Sequence, residues 1–305
     1  MEKKGFMLII TAATMWGVAG TVAKYMFNNN ASPFDLVQMR LLISFFILVL
    51  YLSLTNRSLL KINRRDVTYF LVFGTAGVAM VQFTYLYTIS QTNVATAIFL
   101  QYLAPALVMV YGLLTRSESP TPAKFAALAC AIGGGFCIVR GNLQGGLSVN
   151  TIGLISGLAS ALAFAFYTIY GKRGLRTYNP WTMLTWGFGV GALAWSFYAP
   201  PWQTWLAADW PTRVFFLYIA VFATTLPFGF FFVGLKYISP VKTGITSTLE
   251  PVVGALASFI FLGEVLTPVQ IAGCLLILVA IVLINLQQND TASATATSNA
   301  SSPTG

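Results

Sequence analysis

The chain has 305 residues, of which 57% are hydrophobic and only 8% charged, whereas about a quarter of the residues of a soluble domain carry charge. That composition excludes an ordinary soluble enzyme and defines an integral membrane protein. Histidine is absent and the three cysteines, Cys130, Cys137 and Cys274, all fall inside apolar runs, which leaves neither a disulfide framework nor a Cys/His metal site.

A helix needs roughly 20 mostly apolar residues to cross a hydrocarbon layer of ~30 Å. In chain order ten segments meet that need: Gly5 to Tyr25, Phe34 to Leu54, Val67 to Ile89, Val94 to Leu114, Ala123 to Val139, Ile152 to Tyr170, Trp181 to Ala199, Val214 to Leu235, Thr243 to Leu262 and Val269 to Leu286. Each is continuously apolar rather than alternating, so all ten are expected to be helices and not barrel strands. Short connections between them leave no room for a soluble domain. The opening MEKKGFMLIITAATMWGVAG imitates a signal peptide but is expected to stay as the first helix, because nine further spans follow and it pairs with the sixth.

The net charge of +9 is mostly topological. Lys3, Lys4, Arg57, Lys61, Arg64, Arg65, Arg116, Lys124, Lys172, Arg173, Arg176, Lys236 and Lys242 share one set of helix ends and loops, while Lys24, Arg40, Arg140 and Arg213 lie at the other, thirteen against four. The positive-inside rule then puts both termini in the cytoplasm and removes the need for a nucleic-acid partner. The low-complexity tail, residues 289–305, is expected to be disordered and cytoplasmic.

The sequence repeats itself. At a shift of 146, Leu103, Pro105, Glu118, Thr121, Pro122 and Ala126 fall on Leu249, Pro251, Glu264, Thr267, Pro268 and Ala272. A shift of 148 sets Trp16, Gly17 and Lys24 on Phe164, Ala165 and Lys172, and one of 147 sets Pro33 on Pro180. Two halves follow, 1–142 and 149–288, each with five spans. Five is odd, so the second copy enters the membrane from the opposite face, as in the inverted repeats of secondary transporters.

Four stretches, MWGVAGTVAKY, QMRLLISF after Pro33, YLAPAL, and STLEPVVGALASFIFLGEVLTPVQIAGCLLILVAIVLI, resemble the drug/metabolite transporter superfamily, EamA family. The resemblance covers residues 5 to 288, twice over. It implies an all-α fold of ten transmembrane helices, two inverted five-helix repeats around a central cavity, moving amino acids, metabolites or drugs, usually outward. One departure from symmetry is visible: YLAP in the first half stands where the second has TLEP.

Polar residues inside a membrane usually face a cavity or a partner, since an ionised acid at bilayer centre costs roughly 2.5 to 3.5 kcal/mol. Glu250 stands in TGITSTLEPVVGAL at helical spacing from Thr243, Thr246 and Ser247, one polar stripe. Pro251 disfavours helical geometry at the acid and frees a carbonyl near it. The stripe reads as cavity lining, with Glu250 binding a cationic group or a proton; alternatively Glu250 pairs with a lysine or arginine and locks two helices. Arg40 reads mainly as a headgroup or Asp35 partner, with recognition of a substrate carboxylate as the other reading. Lys24 and Lys172 read as interfacial anchors. Gln82, Gln101 and Tyr102 lie mid-span and either line the cavity or cross-link helices. Trp16 and Tyr167, on repeat-related helices, are expected to reach the cavity, and Tyr85 and Trp186 to lie deep in their spans; Trp202, Trp205 and Trp210 form an interfacial belt.

Together these features predict a secondary active transporter in the cytoplasmic membrane. The expected substrate-binding set is Trp16, Gln82, Gln101, Tyr102, Tyr167, Ser247 and Glu250, with no catalytic residue, metal or cofactor. Its partners are a small-molecule substrate, a coupling proton, the bilayer and, as the protein partner considered, a second copy of the chain. Amino acids or related metabolites are the leading cargo and lipophilic drugs the alternative. An intramembrane lipid-modifying enzyme would need paired catalytic groups at one depth, and the interior offers a single strongly placed acid. A passive channel differs in being unable to accumulate solute against a gradient. No GxxxxGK[ST] loop is present for ATP hydrolysis.

Overall fold

The structure, a computed structural model, describes residues 1–27, 33–92, 94–142, 151–198, 200–263 and 265–300, and within the helices leaves out the side chains of 20–27, 33, 94, 95, 141, 142, 262 and 287–300. Among the described residues there is no strand.

Among the described residues fifteen α-helices follow in order: α1 Glu2–Phe27, α2 Pro33–Thr55, α3 Val67–Val72, α4 Met80–Gln91, α5 Val94–Gln101, α6 Ala104–Leu114, α7 Pro122–Asn142, α8 Thr151–Gly174, α9 Pro180–Ser196, α10 Pro201–Ala207, α11 Trp210–Tyr218, α12 Leu226–Tyr237, α13 Pro240–Ser247, α14 Leu249–Leu262 and α15 Pro268–Ala300. π-Helical turns, Phe73–Ala79 and Ile219–Thr225, join α3 to α4 and α11 to α12. Eight stretches are long and apolar enough to cross a membrane among the described residues. The other two expected spans are the helices α1 and α9. With 17 residues, α9 is about 26 Å long at ~1.5 Å per residue, a little short of the hydrocarbon layer.

Local chemistry sets the helix ends. Proline opens α2, α7, α9, α10, α13 and α15, where its missing N–H is no loss. Side chains of Asn179, Asp209 and Ser239 cap α9, α11 and α13 by accepting from the amides of Trp181, Thr212 and Lys242. The Thr212 hydroxyl and amide hold the exposed Asp209 carboxyl below its usual range. Gly263 closes α14 in the left-handed region at φ 67°, which favours glycine.

The interruptions within spans come from proline and from the π turns. Pro105 and Pro251 lack the amides that would bond the carbonyls of Gln101 and Ser247, and the chain breaks at Tyr102–Leu103 and at Thr248. Both π turns and both breaks recur 146 residues apart: Phe73 with Ile219, and the α5 range Val94–Gln101 with Pro240–Ser247. The final helix departs from expectation. It runs to Ala300, over most of the tail read as disordered, although Asn, Asp, Ser and Thr outnumber alanine there and are poor helix formers.

The main core joins α1, α2, α8, α9 and α12 around Phe6, Trp16, Phe73, Tyr167, Phe188 and Phe231. A smaller cluster of Leu36, Met39, Phe215, Phe216 and Ile219 closes the Arg40 end of α2. Phe46, Leu50, Leu162, Phe259 and Leu275 stay more than half exposed, as lipid-facing positions should. The spans α7 and α15 meet backbone to backbone, since a Cβ on Gly134 would lie 2.7 Å from the Gly273 carbonyl oxygen.

One buried ion pair holds the turn between α6 and α7. Lys124 Nζ lies 2.7 Å from Glu118 Oε2, both side chains 9% exposed, and also donates to the Ser119 carbonyl. Removing one partner leaves a buried charge uncompensated, so Lys124→Met is expected to destabilise the protein by about 3 kcal/mol. Adding Glu118→Gln is expected to recover most of that loss, read as the midpoint of thermal unfolding in detergent.

Candidate functional site

The acid that stands out in the sequence is held by a tyrosine from the other half of the chain. Tyr102, in the break between α5 and α6, donates its hydroxyl to Glu250 Oε2 at 2.6 Å. Glu250 sits in the first turn of α14, where the positive end of the helix dipole favours a carboxylate. Two further groups stand within electrostatic reach of that carboxylate, Arg40 of α2 and Tyr85 of α4. Gln82 is buried three residues before Tyr85, on the same face of α4.

Arg40 corrects its expected role. Its Nε donates to Thr224 Oγ1 and its Nη2 to the Ala223 carbonyl, both at 2.8 Å, while Asp35 accepts from Thr204. The guanidinium therefore points into the bundle, 6.0 Å from the centroid of Phe228. Phe228 meets Trp16 edge-on at 4.9 Å, and Tyr167 packs among Phe73, Phe228, Phe231 and Phe232. Tyr167 is 1% exposed and its buried hydroxyl has no hydrogen-bond partner. An aromatic wall thus runs directly into the Arg40, Tyr85, Tyr102 and Glu250 group.

The other expected residues lie elsewhere or are already engaged. Gln101 donates to Ser160 of α8 at 2.9 Å, a cross-link between the halves. The hydroxyl stripe is not open: Thr246 and Ser247 donate to the carbonyls of Lys242 and Thr243 one turn back, and Thr243, Thr246 and Ser247 are at most 1% exposed. Thr246 and Ser247 are thus satisfied by their own helix, while the buried Thr243 hydroxyl has no hydrogen-bond partner. Trp186 turns away and donates to the Leu60 carbonyl. Lys172 reaches across to the carbonyls of Leu235 and Ile238, where a cation suits the C-terminal end of α12. The side chain of Lys24 lies outside the described residues. Trp202 and Trp210 are exposed, as a belt requires. The sequence does hold a signal for Arg40: Pro227, four residues after Ala223, has no amide to give the Ala223 carbonyl, and an intramembrane arginine can fill that place.

Apart from this group, an open cleft of about 340 Å³ lies between the ends of α3 and α8, lined by Asp66, Tyr69, Tyr170, Arg173, Thr177 and Tyr178. Tyr178 donates to Asp66, and burial together with that bond raises its phenol above the usual range. Among the described residues no cluster of His, Cys, Asp or Glu is arranged to hold a metal.

Long apolar spans, broken in pairs around buried polar groups, define a multi-pass membrane protein of the transporter kind. The chain belongs to the EamA-like transporter family, whose sequence model matches it twice, over residues 3–140 and 151–286. It is 33% identical over 288 residues to the uncharacterized inner membrane transporter YicL of Salmonella typhimurium, covering 93% of this chain and 96% of that one. It is also similar to the threonine/homoserine exporter RhtA of Escherichia coli K12, at 24% identity with 87% and 85% covered. The riboflavin transporter ImpX of Fusobacterium nucleatum is 22% identical, with 92% and 97% covered. A crystal structure of a protein 18% identical superposes with TM-score 0.77 over 95% of this chain and 99% of that one, which extends to the fold alone. The chain is thus a membrane transporter of the drug/metabolite transporter superfamily, acting on a small molecule in a lipid bilayer.

Proposed function

We propose that the chain is a secondary active transporter that exports amino acids or related small metabolites across the cytoplasmic membrane by alternating access. The observation that carries this reading is the meeting of Tyr102 and Glu250, one from each half, beside Arg40 and an aromatic wall. With Glu250 ionised the group holds one anion and one cation, which complement the ammonium and carboxylate of a zwitterion. The wall of Trp16, Tyr167 and Phe228 would take its side chain. A lipophilic cation finds the aromatic rings and the acid but meets the repulsion of Arg40, so drugs are the second reading. The exporter relative supports an amino-acid cargo; the riboflavin relative keeps the family's range wide.

Ten spans in two inverted halves, residues 1–142 and 149–288, are the proposed frame. Its supports are the double family match and the recurrence of π turns and breaks at a spacing of 146 residues. Both termini are cytoplasmic in this frame, a reading that the basic helix ends support. In this frame Glu250 is the group that takes up a coupling proton, Tyr102 its hydrogen-bond partner, and Gln82 and Gln101 polar neighbours; Ser247 supports the break from within α13. The frame admits a second copy of the chain as a neighbour in the membrane.

The test compares small-molecule content between cells overproducing the protein and cells lacking it. A zwitterionic compound is expected to fall inside the overproducing cells and rise outside, with raised resistance to its toxic analogues. Unchanged pools and unchanged resistance across the amino acids would count against the reading. Trp16→Ala is expected to weaken export at least tenfold for a bulky substrate, through loss of the wall, at unchanged membrane abundance.

A further inference from the structure

The two π turns correspond across the repeat, yet the helices lying against them treat them in opposite ways. At Ile219–Thr225 the carbonyls are claimed by side chains. Arg40 bonds Thr224 Oγ1 and the Ala223 carbonyl, and Ser44 Oγ, one turn along α2, donates to the Ala220 carbonyl at 2.8 Å. Thr224 and Thr225 fold back onto the carbonyls of Ile219 and Ala220. A π turn leaves carbonyls without ordinary helical partners, and Pro227 removes one more amide. Each such carbonyl buried in a membrane is costly unless a donor reaches it.

At Phe73–Ala79 the positions that correspond to those bonding groups are apolar or glycine, and Thr75 bonds only the Leu71 carbonyl one turn back. The positions of Thr224, Thr225 and Pro227 fall, 146 residues earlier, on Val78, Ala79 and Val81, and those of Arg40 and Ser44 fall, 147 later, on Gly187 and Gly191. There α9 lies against the turn through glycine. A Cβ on Gly187 would come 2.7 Å from the Phe73 ring and one on Gly191 3.1 Å from Val78. One seam is therefore pinned by directed hydrogen bonds to a cation, and the other is a smooth apolar contact that can slide.

We propose that Arg40 is a latch, a positioning residue that holds α2 on the second π turn and keeps the Arg40 end of the transport path shut, while the glycine seam at the opposite end moves without a matching restraint. The apolar plug of Leu36, Met39, Phe215, Phe216 and Ile219 sits at the latched end and becomes reachable when the latch lets go. A substrate carboxylate is the chemical class able to release it, because it offers the guanidinium two acceptors in exchange for Thr224 and Ala223. This deepens the transport reading and rests on it for its purpose, but the latch itself is a statement about conformation.

The test uses full-length protein in lipid nanodiscs with Cys130, Cys137 and Cys274 replaced by alanine. Single reporters Met39→Cys, at the latched seam, and Val78→Cys, at the glycine seam, are reacted with a small maleimide. Met39→Cys is expected to react slowly, and about tenfold faster once Thr224→Val and Ser44→Ala remove two of the latch contacts; the rate at Val78→Cys is expected to stay level or fall. Arg40→Lys keeps the charge, loses the fork and is expected to act in the same direction, so it decides the matter if the double variant fails to fold. Rates at Met39→Cys equal within a factor of two in folded variants would overturn the latch. Faster labelling in a protein that depletes no metabolite in cells would keep the latch and sink the transport reading; export with unchanged labelling would do the reverse.

Discussion

Glu250→Gln is expected to leave the protein in the membrane at normal abundance and to abolish the dependence of export on a pH gradient, with at least a tenfold fall in rate. Glutamine has the same shape and can still accept the Tyr102 hydroxyl, which reaches Glu250 at 2.6 Å, so the α5/α6 and α13/α14 breaks should keep their places. What it lacks is the charge and the exchangeable proton. Tyr102→Phe is the companion variant. It removes one hydrogen bond, and intramembrane bonds average only about 0.6 kcal/mol, so a two- to threefold loss is expected while pH dependence survives. Full, pH-coupled export by Glu250→Gln would assign the acid to packing. Flux in membrane vesicles at several imposed pH gradients measures both variants.

Gly17→Val is expected to be among the most damaging single changes outside the polar group itself. A Cβ at Gly17 would lie 2.7 Å from the Glu250 carbonyl oxygen, 2.7 Å from Val253 Cβ and 2.9 Å from the Gly254 amide nitrogen. Two of these atoms belong to the backbone of α14 and the third is a Cβ fixed to it, none of which can swing aside as a side-chain tip would, so α1 and α14 must separate. Overpacking of this kind costs roughly 1 to 3 kcal/mol or more, and the added branches of valine put the expected effect at the upper end. The yield of folded protein and its thermal midpoint in detergent should both drop, with Gly17→Ala intermediate. A valine variant with normal stability would mean that α1 is free to move off α14 at Glu250. Because the contact is made at the turn that carries the acid, even the alanine variant should impair transport more than stability.

How far the sequence foretold this arrangement can be read residue by residue. Length of apolar run foretold the eight long spans. Pro251 signalled a disturbed backbone near the acid, because a missing amide acts locally, but Glu250 itself is helical and the break falls at Thr248, next to the carbonyl of Ser247 that Pro251 leaves without a partner. Glu250 was legible as an out-of-place acid beside Pro251 and Tyr102 as a mid-span polar group, but their mutual hydrogen bond was not, since spacing within one chain says nothing of which helices lie side by side. The engagement of the stripe of Thr243, Thr246 and Ser247 was hidden for a related reason. Periodicity shows that hydroxyls share a face, yet a hydroxyl can satisfy itself on the carbonyl one turn back, and two of these do. Arg40 was judged by its depth from the helix end, which favours snorkelling. Its true partners lie 183 and 184 residues away on a π turn whose irregular backbone no hydropathy pattern reveals.

The central claim is that the Arg40, Tyr85, Tyr102 and Glu250 group reads both charges of a small zwitterion and moves it uphill. Uptake into inside-out membrane vesicles of the compound depleted by overproduction tests it most directly. Under an imposed proton gradient the compound is expected to accumulate above its external concentration, to leak back when the gradient is collapsed, and to be displaced by other zwitterions but not by its methyl ester or its decarboxylated amine. Equilibration without accumulation, or equal displacement by the amine, would contradict the account.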